Sequence, residues 1–222
     1  MMKKKLIIYG SGNFAEYIRY AFDHDSDYDV EAFCLEASYL LKLTDRSQND
    51  LEILNFNTLR DTHSPSNYDL FIAIGNDLLR ERIFNEAESM GFKLANYISS
   101  KAIVWENIQV GKNVFISEDT AIQPFVEIGD NTIMIGPRIG HHSKIGSHVL
   151  LSLSFIGANS NIGDNSFLGL NSAIKPNTII GKRNIIGMGC NITRNTEENE
   201  VYSSASANKR NLSYQDLNGK YL

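Results

Sequence analysis

The chain has 222 residues, of which 42% are hydrophobic and 21% charged, and its formal net charge is −5. This is the composition of an ordinary globular protein, and the length suits one large domain or two small ones. A nucleic-acid-binding surface needs clustered Lys and Arg, and the sequence has no dense basic run, so that class is excluded. No apolar stretch approaches the roughly 18 residues of a membrane span.

The cysteine content points to a reducing compartment. Cys34 and Cys190 lie far apart and form no Cys-x-x-Cys motif. The apolar run that follows the basic residues 1–5 ends at Gly10, which is too short for a secretory signal. We therefore expect a cytoplasmic protein with reduced cysteines.

The first part of the chain alternates strands with helices. The apolar run Leu6–Tyr9 predicts a buried strand, and apolar residues then recur at helical spacing from Phe14 to Phe22. Val30–Cys34 is predicted as the second strand. This order is typical of a small parallel α/β unit with right-handed crossovers.

The same alternation continues to about residue 98. Leu70–Ile74 is predicted as a strand, and Asn76 as the N-cap of a helix that Gly91 ends. Lys93–Ile98 is predicted as the last strand. Residues 41–67 are polar and give no clear pattern.

The turn between the first strand and the first helix has the composition of a phosphate-binding loop. Its residues are Gly10, Ser11, Gly12, Asn13, Phe14 and Ala15. Backbone N–H groups in such a turn suit a phosphate-bearing ligand. Gly-x-Gly-x-x-Ala is only a weak cue for NAD, although Glu36 after the second strand keeps that alternative open. The unit looks too short for the six-stranded dinucleotide sheet, so a nucleotide sugar is the better fit.

After about Ser100, a period of six replaces the helical spacing. Aliphatic residues recur every six positions in three runs: Val110, Ile116, Ile122, Ile128 and Met134; Ile139, Ile145 and Leu151; and Ile156, Ile162, Leu168, Ile174, Ile180, Ile186 and Ile192. Three such units close one triangular coil of about 18 residues with the aliphatic side chains inside. Gly and Asn at the following positions suit corners that need positive φ. The pattern predicts a parallel β-helix.

Two five-residue steps interrupt the period, and they flank a pair of histidines. The steps run from Met134 to Ile139 and from Leu151 to Ile156, and each needs a shortened corner. His141 and His142 follow Ile139-Gly140, so they occupy a surface corner. A special site there is one interpretation of the breaks, and tolerated deletions in a repeat protein are the other.

A metal site is the alternative interpretation of these histidines. The γ class of carbonic anhydrase holds zinc on a β-helix, but it needs three histidines from adjacent coils. His141 and His142 are consecutive and point apart on corner backbone, and His148 fits a structural corner position. We therefore expect no metal.

Several motifs together resemble a family of bacterial sugar acyltransferases. This family includes sialic-acid O-acetyltransferase and the UDP-4-amino-sugar N-acetyltransferase of bacillosamine synthesis. The matching segments cover nearly the whole chain: residues 7–12, 71–76, 97–102, the hexapeptide array and residues 199–202. The resemblance implies a small Rossmann-like domain over residues 1–98, a left-handed β-helix over residues 99–200 and a tail over residues 201–222.

The resemblance also implies an activity and its residues. Family members are homotrimers that transfer an acetyl group from acetyl-CoA to a nucleotide-linked amino sugar, with active sites between neighbouring β-helices. His141 matches the family's general base, and His142 stands where a Glu often orients that base. The oxyanion donor is expected to be the amide of Gly157 or Gly169.

The resemblance places the two substrates on different parts of the chain. The residues expected to bind the nucleotide sugar are Gly10, Ser11, Gly12, Asn13, Glu36, Gly75 and Asn76. The basic residues expected to meet the CoA phosphates are Lys182, Arg183, Lys209 and Arg210. Sugar O-acetylation and a non-catalytic sugar-nucleotide-binding trimer remain the alternatives, as does a solvated surface role for the four basic residues.

Overall fold

Residues 3–43, 47–48, 50–211, 213 and 215–217 are described by the structure, a computed structural model. They begin with an α/β unit whose elements are β1 (Lys4–Tyr9), α1 (Asn13–His24), β2 (Tyr28–Leu35), α2 (Ala37–Leu40), β3 (Ser47–Gln48), β4 (Leu51–Asn55), a 3₁₀ turn (Phe56–Thr58), α3 (Leu59–Thr62), β5 (Tyr68–Ile72), α4 (Asp77–Ser89) and β6 (Lys93–Leu94). No helix among these residues is long and apolar enough to cross a membrane.

The sheet of this unit has the strand order β3-β4-β2-β1-β5-β6, and only the β3–β4 pair is antiparallel. The central strand β1 pairs with β2 on one side and β5 on the other. Both faces of β1 are buried, because α1 packs on Leu6 and Ile8 while α4 packs on Ile7. The predicted α/β unit is confirmed.

The sequence prediction differs from the structure in two places. The polar stretch 41–67 contains a strand, β4, which pairs with β2 through only a few residues. The strand predicted over Lys93–Ile98 is two strands: β6 pairs with β5, but Tyr97–Ile98 pairs with Phe115–Ile116. The division falls at Asn96, whose side chain accepts a hydrogen bond from the amide of Val114.

The remaining strands form a left-handed parallel β-helix with three faces. The α/β unit packs on the first, which we name the covered face: Tyr97–Ile98, Phe115–Ile116, Ile133–Ile135, Leu150–Ser152, Phe167–Leu168, Ile185–Ile186 and Val201–Tyr202. The second face comprises Ile103–Val104, Ala121–Ile122, Arg138–Ile139, Phe155–Ile156, Ala173–Ile174 and Asn191–Ile192. The third face comprises Gln109–Val110, Glu127–Ile128, Lys144–Ile145, Asn161–Ile162 and Ile179–Ile180. The predicted fold is therefore confirmed.

The aliphatic repeat fills the inside of this prism. From Ile116 to Ile192 the members of the three runs are at most 6% exposed and form one hydrophobic cluster. The preceding residue of each strand points outwards, as Ile185 and Ile186 show with exposures of 48% and 0%. Each fully buried side chain contributes about 1.5–3 kcal/mol relative to exposure, so the period of six accounts for the fold.

The glycines and asparagines of the repeat have different structural roles. Corner asparagines such as Asn131 and Asn165 adopt positive φ, as predicted. Most glycines that follow an aliphatic residue do not, and they are needed because adjacent coils approach closely. A Cβ on Gly140, for example, would lie 2.4 Å from the amide nitrogen of Ala158. The prediction of positive φ at these glycines was wrong for this reason.

The two breaks in the period lie at one corner of the prism. They are absorbed by the shortened turns around Gly136 and Leu153, which both have positive φ and stack on each other between the covered and second faces. The histidine pair lies at a different corner, between the second and third faces. The breaks therefore shorten a different corner from the one that carries the histidines.

Buried hydroxyls at the prism corners differ in their hydrogen bonding. Ser160 donates to the carbonyl oxygen of Lys175, whereas the hydroxyl of Ser172 has no partner among the described residues. Both side chains are buried. We expect Ser160→Ala to lower the free energy of unfolding by about 1–3 kcal/mol, and Ser172→Ala to leave it unchanged or raise it. Urea titrations of the two variants measure this difference, and equal losses would contradict it.

The α/β unit is fixed to the first coils by aromatic stacking and by Asp25. The rings of Tyr97 and Phe115 stack with centroids 4.8 Å apart, and Phe22 packs against Tyr97. The carboxylate of Asp25 accepts hydrogen bonds from the hydroxyls of Tyr97 and Ser99 and the amide of Ser100. These bonds, led by those from Ser100, lower the pKa of Asp25 to about 2. The Gly75 turn after β5 lies beside Leu150 and Asn165 of later coils.

Candidate active site

The two histidines form a contacting pair on the surface of the β-helix. His141 and His142 follow Arg138–Ile139 on the second face and precede Lys144–Ile145 on the third, so we name this edge the histidine corner. Both side chains are exposed. His142 has a φ of 58°, and the ring of Phe125 packs on its imidazole at a centroid distance of 4.6 Å. The corner backbone thus holds one histidine against an aromatic ring and leaves the other facing solvent.

The contact between the two imidazoles restricts their tautomers. The Nδ1 atoms of His141 and His142 are 3.0 Å apart, so one of them carries the shared proton. When His141 is the donor, its Nε2 is left unprotonated and free to accept a proton. His142 then takes the orienting part that the family resemblance gives to a carboxylate. In this arrangement Nε2 of His141 is an imidazole nitrogen that can accept a proton.

A groove of about 540 Å³ runs beside His141 along the second face. Its floor includes Gly140 and Gly157, and its sides include Gln123, Arg138 and Phe155. A Cβ on Gly157 would lie 2.4 Å from the nitrogen of Pro176, so close coil packing keeps this floor free of side chains. The amide of His141 donates to Oε1 of Gln123, which fixes the backbone at the groove's end.

Neither amide predicted as oxyanion donor is free. The N–H of Gly157 donates to the carbonyl oxygen of Ile174, and that of Gly169 donates to Ile186, as regular coil pairing requires. Gly169 also follows the covered face and so lies away from the histidine corner. Ala158 is the residue that the sequence reasoning missed: it lines the groove, it stacks on Gly140, and among the described residues its amide has no acceptor.

The glycine turn after β1 is built for close approach. Gly10 has a φ of 136°, and a Cβ there would lie 2.7 Å from the carbonyl oxygen of Ala73, so only glycine lets the ends of β1 and β5 meet. Gly12 is the N-cap of α1, and Ser11 is exposed beside it. The predicted residues Gly10 to Asn13 therefore lie together at the carboxyl edge of the sheet.

Glu36 lies at the same edge, but it is already paired. Its carboxylate accepts two hydrogen bonds from Arg82, at 2.8 and 2.9 Å, and one from the hydroxyl of Tyr9 at 3.3 Å. The hydrogen bonds from Arg82 lower the pKa of Glu36. The sequence pattern did not reveal these contacts of Arg82 and Tyr9 with Glu36, because a helix-surface Arg and a strand Tyr carry no motif. Glu36 is thus held ionised and oriented.

Gly75 and Asn76 lie at the end of β5, beside the β-helix. Asn76 caps α4 by accepting a hydrogen bond from the amide of Leu79. Gly75 lines a groove of about 320 Å³ together with Leu150, Asn165 and Arg183 of the β-helix. We name this the domain groove. It places Arg183 beside the loop of Gly75, one of the predicted sugar-nucleotide residues.

The four predicted CoA-binding residues do not form one cluster. The side chain of Lys182 pairs with Asp164 at 2.9 Å and lines the third face, whereas Arg183 lines the domain groove. Lys209 and Arg210 lie in the exposed stretch that follows the last coil. Adjacent residues at one corner thus face different surfaces, which a sequence spacing cannot show.

The two parts of the candidate site lie on opposite sides of the prism. The histidine corner joins the second and third faces, and in a three-sided coil that corner is across from the covered face. The glycine turns and the domain groove lie over the covered face. One chain therefore does not bring His141 next to its own sugar-nucleotide loops.

Within the described part of the chain, no group of three or more His, Cys, Asp or Glu side chains is arranged to hold a metal ion. The two residues after the histidine pair are Ser143 and Lys144. The nearest histidine in the sequence, His148, lies at a different corner, against Phe84 of α4.

Comparison with known proteins agrees with this division of the chain. Residues 5–87 match the family model described as the PglD N-terminal domain. We name the matched segment, residues 5–87, the PglD domain. The glycine turn after β1, Glu36 and the domain-groove residue Gly75 all belong to this PglD domain.

Solved structures share the fold over nearly the whole length. A histidine-to-asparagine mutant of perosamine N-acetyltransferase from Caulobacter crescentus, in complex with CoA and GDP-perosamine, is 23% identical with a TM-score of 0.79, covering 89% of this chain and 92% of that one. The acetyltransferase domain of PglB from Neisseria gonorrhoeae FA1090 in complex with acetyl coenzyme A is 20% identical, with a TM-score of 0.78 and coverages of 90% and 95%. WeeI from Acinetobacter baumannii AYE is 21% identical, with a TM-score of 0.76 and coverages of 90% and 96%. The PglD domain and the β-helix thus occur together in this fold.

Proposed function

We propose that the protein transfers an acetyl group from acetyl-CoA to the amine of a nucleotide-linked amino deoxysugar. The observation that carries this proposal is the His141–His142 pair at the end of an open groove on the second face. The fold supports it, because the structures that share it include an N-acetyltransferase in complex with CoA and GDP-perosamine and an acetyltransferase domain in complex with acetyl coenzyme A.

His141 acts as general base in this reaction. With Nδ1 donating to His142, its Nε2 accepts a proton from the sugar amine as the nitrogen attacks the thioester carbonyl. The C–N bond forms, the tetrahedral intermediate collapses with loss of the C–S bond, and the imidazolium returns the proton to the CoA sulfur. The amide of Ala158 is the donor best placed in the groove to stabilise the oxyanion.

The acceptor is held by the PglD domain. The turn between β1 and α1 offers the backbone N–H groups of Ser11 and Asn13 to the diphosphate, and Glu36, oriented by Arg82, accepts hydrogen bonds from the nucleoside. Lys182, Arg183, Lys209 and Arg210 were predicted to meet CoA phosphates; of these, Arg183 is better placed for the acceptor diphosphate because it lines the domain groove.

A panel of acceptors tests the activity. We expect release of the CoA thiol when the protein is given acetyl-CoA with a GDP- or UDP-linked 3- or 4-amino-6-deoxysugar, and no release with the corresponding hydroxy sugar. Thiol titration and mass spectrometry of the product measure both outcomes. Acetylation of hydroxy sugars alone would make the protein an O-acetyltransferase, and binding of nucleotide sugar without any transfer would make it a non-catalytic binding protein.

The assembly and setting follow from the same proposal. The histidine corner and the domain groove lie on opposite sides of one chain, so a complete site needs a second copy, and a homotrimer with three such junctions satisfies every subunit. Acetyl-CoA and nucleotide sugars are cytoplasmic metabolites, which places the reaction in the cytoplasm. Acetylated amino deoxysugars of this type are building blocks of surface glycans, including lipopolysaccharide.

A further inference from the structure

A fully buried arginine connects the PglD domain to the β-helix. Arg80, on the first turns of α4, is 0% exposed. The four hydrogen bonds that its guanidinium makes to described residues all go to backbone carbonyl oxygens: Ile74 at 3.1 Å, Gly75 at 3.0 Å, Asn131 at 3.1 Å and His148 at 2.7 Å. Two of these carbonyls belong to the loop after β5, and two belong to corners of the β-helix.

Burying a guanidinium costs free energy, and an arginine on the protein surface does not carry this cost. A guanidinium removed from water needs hydrogen-bond partners for its donors, and Asp77 acts on this one only through its charge, without an ion-pair contact. Burial lowers the pKa of Arg80 to about 10, so the group still carries its charge at neutral pH. The planar fork reaches carbonyls on both sides at once, which an ammonium cannot do.

Neighbouring contacts hold the β-helix side of this connection in place. The side chain of Asn131 lies 2.9 Å from Nδ1 of His148, and the ring of His148 packs edge-on against Phe84 of α4. Asn165, at the next corner, donates to Glu81 of the same helix at 2.9 Å. The carbonyl groups that Arg80 binds on the β-helix therefore belong to corner residues that other contacts also hold in place.

The span of Arg80 sets the width of the domain groove. Gly75, whose carbonyl it binds, forms one wall of that groove. His148, which it binds on the other side, lies two residues before Leu150, which forms the opposite wall. Arg80 thus binds residues on both sides of the groove directly, although it does not itself line the groove.

Resting on the proposed function, we propose that Arg80 is a positioning residue for the acceptor: it holds the Gly75 loop at a fixed distance from the β-helix, so that the sugar nucleotide binds in one defined position. Arg80 touches neither substrate in this arrangement. Its effect is exerted through the loop and is specific to the acceptor, because the second-face groove is on the other side of the prism.

The substitution Arg80→Lys tests this role in the full-length protein. We expect the KM for the nucleotide amino sugar to rise by about ten-fold or more while the KM for acetyl-CoA stays within about two-fold, because one ammonium cannot replace a fork that binds carbonyls on both sides. Hydrogen exchange should become faster in residues 73–77 and remain unchanged in β1. An unchanged acceptor KM in a folded Arg80→Lys protein overturns the proposal.

A matched variant separates positioning from general weakening of the interface. Lys112→Ala removes an ion pair between the β-helix and Glu88 of the same helix, and neither residue lines the domain groove or contacts the Gly75 loop. We expect its acceptor KM and its exchange at residues 73–77 to stay at wild-type values. An effect equal to that of Arg80→Lys would assign Arg80 a structural role only.

Failure of the proposed function is distinguishable from failure of this inference. If the wild-type protein transfers no acetyl group, the exchange of residues 73–77 still reports whether Arg80 holds the loop. Unaltered exchange in Arg80→Lys overturns the inference, whatever reaction the site performs.

Discussion

Replacing His141 by alanine is expected to lower kcat for acetyl transfer by about 10²–10⁴-fold, which is the range supplied by a positioned general base. The KM for either substrate should change little, because the side chain is exposed and makes its one side-chain hydrogen bond to His142. Thiol-release kinetics at saturating acetyl-CoA measure the effect, and circular dichroism checks the fold. The free energy of unfolding should be unchanged, since no core contact is removed.

Two further histidine variants sharpen this test. His142→Ala should cost less than His141→Ala, because it removes only the partner that selects the tautomer of His141. His24→Ala is the matched control: His24 stacks on Tyr20 at the end of α1, away from both grooves, and its loss should leave kcat unaltered. Activity of the His141→Ala protein within about three-fold of wild type would exclude a general-base role.

Co-assembly of two inactive variants is expected to restore activity. Gly75→Phe should block the domain groove without unfolding the chain, because a Cβ there meets no atom within 4 Å and its φ is not in the left-handed region. Gly75→Phe and His141→Ala chains with different affinity tags, co-expressed and purified through both tags, form only mixed assemblies. In a mixed trimer one junction in about three joins an intact His141 to an intact groove, so about a third of wild-type activity should return.

The controls for this experiment are the two variants purified alone, which should both remain near background. Size-exclusion chromatography with light scattering establishes the number of subunits. Mixed assemblies that are as inactive as the separate variants would mean that each chain completes its own site, contrary to the opposite placement of the histidine corner and the domain groove.

The β-helix was predictable from the sequence, because its interior requires an aliphatic side chain at every sixth position. Ile156, Ile162 and Leu168 could therefore be assigned to the core before the structure was known. The α/β unit followed from apolar runs and a capping residue, Asn76. The strand Leu51–Asn55 was missed because only Ile53 of its five residues is buried, so it carries no apolar run.

The site was predictable only where a residue carries a local motif. The histidine pair and the Gly10–Asn13 turn met that condition. Arg82 and Arg80 did not, because their long-range partners are 46 to 68 residues away in the sequence, and those of Arg80 are backbone atoms. The amide of Ala158 was missed for a related reason: whether a backbone N–H is free depends on coil pairing, which the side chains do not reveal.

The packing of Phe22, Tyr97 and Phe115 has a consequence for how the molecule forms. A parallel β-helix exposes unpaired backbone at its first coil, and any such open end can recruit strands from other molecules. Here the α/β unit covers the outer surface of the earliest coils, and it leaves the ribosome before them. Each later coil can then pair with a coil that has already formed. The β-helix therefore grows in one direction, from the α/β unit towards the C-terminus.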